Sequence, residues 1–67
     1  MKSFTLRYNF YKKSTQELIY GAGEVVSEEE LDDILHSMNK GYYICSKPID
    51  LSLLRKNRLE VKELLVE

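Results

Sequence analysis

Apolar and polar positions alternate from Phe4 to Phe10, with Phe4, Leu6, Tyr8 and Phe10 on the even positions and Thr5, Arg7 and Asn9 between them. A period of two predicts a strand with one face buried, so the even side chains are expected to point inward. The run QELIYGA reads as a second strand, and the polar KKS between them predicts a hairpin over residues 3–22. Residues that face each other across a hairpin must share a side of the sheet. An even-length loop would set Phe10 opposite Glu17 among the core rings. An odd loop instead pairs Tyr8 with Leu18, Leu6 with Tyr20 and Phe4 with Ala22, and is the expected arrangement.

The pattern changes at VSEEELDDILHSMNKG. Leu31, Ile34, Leu35 and Met38 fall at i, i+3, i+4 and i+7, the stripe of an amphipathic helix over residues 28–40. Ser27 and Glu30 have the spacing of a capping box, and Val26 before them can staple onto Leu31. Glu28, Glu29 and Glu30 complement the positive end of the helix dipole, Lys40 the negative end, and Gly41 supplies a left-handed stop.

Beyond Gly41, YYICSK is rich in strand formers and ends at Pro48, predicting a strand over 42–47, on which Tyr43 is outward if Tyr42 and Ile44 face in. Two readings compete for IDLSLLRKNRLEVKELLVE. As a helix capped by Asp50, its stripe of Leu51, Leu54, Val61 and Leu65 is interrupted by Arg58. As a helical turn from Asp50 followed by a strand, Leu59 and Val61 alternate with Arg58, Glu60 and Lys62, and this reading, a turn and final strand over 49–66, is preferred. The expected fold is therefore α+β: a small, mainly antiparallel sheet in the order ββαββ with one amphipathic helix packed on one face, all of it one small domain over residues 1–67.

Length then narrows the possibilities. A chain of 67 residues buries too little apolar surface for a wide margin of stability, and its single cysteine excludes an internal disulfide. A homodimer is the expected extra source of stability. The apolar runs are too short to cross a bilayer and the first residues alternate, so no membrane association is expected. A lone thiol suits a reducing compartment, and the expected location is cytoplasmic. The formal charge of −1 hides an asymmetry. Residues 1–13 carry Lys2, Arg7, Lys12 and Lys13 without an acid, whereas residues 14–39 carry Glu17, Glu24, Glu28, Glu29, Glu30, Asp32 and Asp33 without a lysine or arginine.

Candidate chemistry is sparse. The GAG of residues 21–23 lies between a strand and a helix, but a third glycine is missing, and glutamates at the helix start repel phosphate. Cys45 and His36 are the only thiol and imidazole, and the predicted elements place them on different faces. Asp32 and His36, spaced i and i+4 with Asp33 beside them, are too few ligands for a closed metal site. No enzyme, metal or cofactor is therefore expected.

The cation-rich opening TLRYNFYKK leaves Arg7, Tyr11, Lys12 and Lys13 exposed, with Tyr43 as a possible second ring. Those five residues form the alternative reading, a single-stranded nucleic-acid-binding module. Five tyrosines and an open sheet edge favour instead a protein-binding module, an adaptor, regulator or inhibitor of the size common among phage and mobile-element accessory proteins. Two faces are candidates for the partner protein: Arg7, Tyr11 and Lys13 on the hairpin, and Glu29, Asp32, Asp33 and His36 on the helix.

Overall fold

The computed structural model describes residues 2–67. Its strands are short: β1 (Ser3–Thr5), β2 (Phe10–Lys12), β3 (Leu18–Tyr20), β4 (Val25–Ser27) and β5 (Tyr43–Cys45), with α1 (Glu28–Asn39) between β4 and β5, and α2 (Leu51–Lys56) and α3 (Arg58–Leu65) closing the chain. They form two antiparallel ladders, β1–β4 and β3–β2–β5. The class is α+β, as the sequence predicts, but the single sheet is divided.

The division falls within the opening alternation. β1 pairs with β4, Phe4 facing Val26, while Phe10 of β2 faces Tyr20 of β3. Leu6 lies between them, fully buried, with its N–H on the Glu24 carbonyl at 2.9 Å and its own carbonyl accepting from Gly23 at 2.7 Å. The chain bends after it at Arg7 and Tyr8. Leu6 and Phe10 enter the core completely, whereas Phe4 and Tyr8 are half-buried against it. The inward alternation thus holds across a break in the strand.

The hairpin loop is even, contrary to expectation. It comprises residues 13–16, with Lys12 N–H on the Glu17 carbonyl at 2.9 Å and Gln16 N–H on the Lys12 carbonyl at 2.6 Å. Gln16 takes the left-handed position, φ 59°, that glycine or asparagine would ordinarily announce. A bulge in β3 absorbs the parity error. Tyr11 faces Leu18 and Phe10 faces Tyr20, so Ile19 is the extra residue and no carboxylate is forced among the rings.

Helix α1 forms as its sequence dictates. Ser27 Oγ accepts from Glu30 N at 3.1 Å and Glu30 Oε1 from Ser27 N at 3.3 Å, and both staple residues, Val26 and Leu31, are buried. Gly41, at φ +81°, turns the chain out of the helix, and Tyr42 N–H bonds back to the Ser37 carbonyl at 2.8 Å.

The predicted final strand is absent from residues 49–66, which instead form two helices. Asp50 caps α2, as the sequence suggests, through Ser52 N at 2.9 Å. Asn57 then ends α2 and caps α3. Its Oδ1 accepts from Glu60 N and its Nδ2 donates to Glu60 Oε2, each at 3.1 Å. The spacing N-R-L-E is a cap signal of the same kind as S-E-E-E, and it explains why Arg58 does not spoil an apolar stripe: the stripe restarts there. Val61 and Leu65, one helical turn apart, are fully buried, while Leu59 is 67% exposed. Only the chain end rejoins a strand, through a Leu6–Val66 bridge and bonds from Arg7 N to Leu65 O at 2.7 Å and Glu67 N to Thr5 O at 2.8 Å.

The two tail readings differ in which leucine matters. Leu65→Ala should destabilise the protein by about 2–5 kcal/mol, and Leu59→Ala should lie within about 0.5 kcal/mol of wild type, both read from urea denaturation midpoints. Equal costs at the two positions would contradict the helix.

Candidate functional site

Which face each residue takes on β3–β2–β5 follows from Phe10. Its side chain is fully buried in the core that holds Leu31, Ile34 and Leu35, so Tyr11, next along the strand, faces away from α1. Residues paired directly across a ladder share a face. Leu18 and Ile44, paired with Tyr11, therefore lie on the outer face, exposed by 58% and 40%. The Lys13 N–H bonds the Tyr42 carbonyl at 2.8 Å, continuing the ladder, and brings Lys13 beside Tyr42, itself 61% exposed. The outer face thus presents Leu18, Tyr11 and Ile44 in one row, with Tyr42 and Lys13 in the next.

This reverses the expected facing of the third strand. Tyr43 and Cys45 pack against the core, and Tyr42 and Ile44 face solvent. Tyr42 to Cys45 are all apolar or aromatic, so alternation cannot fix their phase; the turn at Gly41 and the Tyr42–Ser37 bond do. The ring proposed at Tyr43 for stacking on nucleic acid is consequently turned inward.

The remaining hairpin residues do not form one patch. Arg7 is exposed at the bend before β2, while Lys12 and Lys13 lie at the strand's other end. Tyr11 is half-buried, and its hydroxyl accepts from Asn9 Nδ2 at 3.4 Å. On α1, Glu29, Asp33 and His36 are exposed as expected, but Asp32 is drawn toward α3. Lys62 Nζ lies 2.8 Å from Asp32 and 3.7 Å from Glu28, and Arg58 donates to the Asp32 carbonyl at 3.3 Å. Asp32 therefore joins two helices instead of standing free for a partner or for His36. The α1 residues and the outer sheet face lie on separate sides of the molecule, because Tyr11 points away from the helix.

Beside the outer face runs a groove of about 230 Å³, lined by Met38, Tyr43, Ile44, Pro48, Ile49 and Leu51, with Lys13 and Lys47 also contributing to its wall. Lys47 Nζ sits 5.7 Å from the centre of the Tyr8 ring, a weak cation–π contact. The charge changes sign across the sheet. The β3 side carries Glu17 and Glu24, and burial and the negative charges of Glu30, Asp33 and Glu24 raise the Tyr20 phenol above its usual value. The β5 side carries Lys13 and Lys47.

Three other motifs resolve as structure. The Gly21 N–H that a phosphate would need donates instead to Glu24 Oε2 at 2.9 Å, closing a turn with Gly23 at φ +86°. Among the described residues no group of three or more His, Cys, Asp or Glu is placed to hold a metal ion. Burial pushes the Cys45 thiol up from its ordinary value, the opposite of what an activated nucleophile needs. No helix among the described residues is long and apolar enough to cross a membrane.

No family model matches this chain, and neither a curated protein nor a solved structure matches it. The functional reading therefore rests on the residues themselves.

Cys45 supplies a direct check on strand facing. At pH 8 its alkylation by iodoacetamide should be slower than that of a free thiol in a short peptide, and it should accelerate with urea as the core opens. A folded-state rate equal to the peptide's would place the side chain outward.

Proposed function

We propose that this chain is a non-enzymatic protein-binding module, an adaptor, regulator or inhibitor, that engages a partner protein with the outer face of β3–β2–β5. The observation that supports the reading is the cross-strand row Leu18–Tyr11–Ile44. A solvent-facing side of an antiparallel ladder is ordinarily polar, yet here every position of the row is apolar or aromatic. Tyr42 extends it with a residue type that interfaces favour, a large ring with few rotamers, and Lys13 stands at its polar rim.

Tyr11 and Lys13 of the hairpin belong to this face with Leu18, Tyr42 and Ile44, whereas Arg7 stands apart at the bend before β2. Glu29, Asp33 and His36 form a separate acidic surface. Self-association through the apolar row would be the simplest use of it in so small a chain, where a covered face adds burial that the isolated domain lacks.

A nucleic-acid role draws on the same corner, since Lys12, Lys13, Ser14 and Tyr42 line a shallow groove of about 280 Å³. Few cations stand there, however, and the β3 side of the sheet is acidic, so the phosphate-driven attraction is small.

Replacing Leu18 and Ile44 together by serine tests the reading. Both are exposed, so the double variant should unfold within about 1 kcal/mol of wild type, while capture of the native partner from the source cell falls by about tenfold or more. Undiminished capture would refute the proposed face. A salt-sensitive shift of labelled single-stranded oligonucleotides, lost with Lys12→Glu and Lys13→Glu, would transfer the function to nucleic acid. Sedimentation of wild type against the double serine variant reports self-association directly.

A further inference from the structure

The backbone of β5 presents a second recognition element beside the side-chain row. Lys13 N–H bonds the Tyr42 carbonyl and Ser46 N–H bonds the Asn9 carbonyl at 2.9 Å, with Tyr11 and Ile44 paired between them. Hydrogen-bonded pairs alternate along an antiparallel ladder. Residues 44 and 46 and the Tyr42 carbonyl therefore turn toward β2, the Tyr42 N–H being held by the Ser37 carbonyl, and Tyr43 and Cys45 turn their peptide groups to the open edge, where no strand pairs with them among the described residues. The apolar groove with Lys13 and Lys47 in its wall runs along that same edge.

We propose that the β5 edge receives an extended acidic segment of another protein as an added strand. Its backbone bonds Tyr43 and Cys45, alternate apolar side chains enter the groove lined by Met38, Ile49 and Leu51, and its carboxylates meet Lys13 and Lys47. This rests on the protein-binding reading and specifies the partner's chemistry.

Charge and geometry argue against a second copy of this chain at the edge. An antiparallel β5–β5 pair about Ile44 brings the Tyr42 end of one strand, with Lys13, against the Ser46 end of the other, with Lys47, so like charges meet. The acidic β3 edge of a copy has the complementary sign, but its bulge at Ile19 breaks the regular spacing that strand addition needs. The lysines that guard β5 against itself are the same ones that admit an acidic strand.

The test pans a displayed library of random peptides, about ten residues long, against the full chain. Selected peptides should alternate apolar residues with aspartate or glutamate, and should bind at least about tenfold more weakly to the Lys13→Glu, Lys47→Glu double variant. A synthetic copy of the best of them should slow hydrogen exchange at the Tyr43 and Cys45 amides, and N-methylation of its alternate amides should abolish binding in one of the two registers. Selected sequences without acidic bias, with helical spacing of apolar residues, or without protection of those two amides overturn the inference. So does a library that yields no binder. Protection of Tyr43 and Cys45 in the protein alone, together with a dimer in sedimentation, would assign the edge to a second copy. Failure here with partner capture still lost on Leu18→Ser and Ile44→Ser sinks only the added strand; capture indifferent to those serines refutes the outer face as the interface.

Discussion

Burial of the α1 stripe is the interaction on which the rest of this small protein depends. Leu31, Ile34, Leu35 and Met38 are shared between Phe10 and Val26 from the strands, Leu6 from the link between β1 and β2, and Leu54, Val61 and Leu65 from the two closing helices, all in one core. In so short a chain no other group of side chains displaces comparable water, and apolar burial is the dominant favourable contribution to folding. Covering α1 from several directions is what divides the sheet. One ladder packs beside the N-terminal end of the helix through β4, the other reaches its C-terminal end through β5, and the chain passes between them at the buried Leu6. The Cα radius of gyration, 10.9 Å, is that of a single compact body of this length.

Once the core claims Phe10, Tyr20, Tyr43 and Cys45 for the inner face, the outer face of β3–β2–β5 has no freedom left. Tyr11, Leu18, Ile44 and Tyr42 must point to water whatever their hydropathy. Stability alone would favour polar residues at such positions, so their apolar character is a reason to look for a covering surface. The charges follow the same partition. Lys62, largely shielded between α3 and α1, neutralises Asp32 and part of Glu28, leaving the helix less acidic toward solvent than its composition suggests. Among the described residues the lysines around β5 make no ion pair, Lys47 having only the weak contact with Tyr8, and so set the sign of that edge.

Local signals were legible wherever the chemistry was local. The capping box, staple and glycine stop of α1 act over a few residues, and each is realised as the spacing implies. The inward alternation of the opening segment was equally readable. The tail was harder. Leu59 and Val61 fit a strand as well as a helix, and the decisive residue, Asn57, carries a cap signal that is read only if the segment is split into two short helices. The hairpin loop is hidden in the sequence for a related reason: Gln16 in a left-handed turn gives no warning, and a bulge can restore a parity that loop length would break.

Sequence by itself determined the helix, its caps, the inward rings of the first segment and the separation of basic and acidic stretches, because propensity, periodicity and capping operate between near neighbours. Only the tertiary structure decided which face of YYICSK is wet, where the sheet divides, that Asp32 is held by Lys62, and that a lysine-flanked groove lies along the open edge of β5. Those outcomes depend on how distant segments compete for one small core, and no single stretch of the chain encodes the result of that competition.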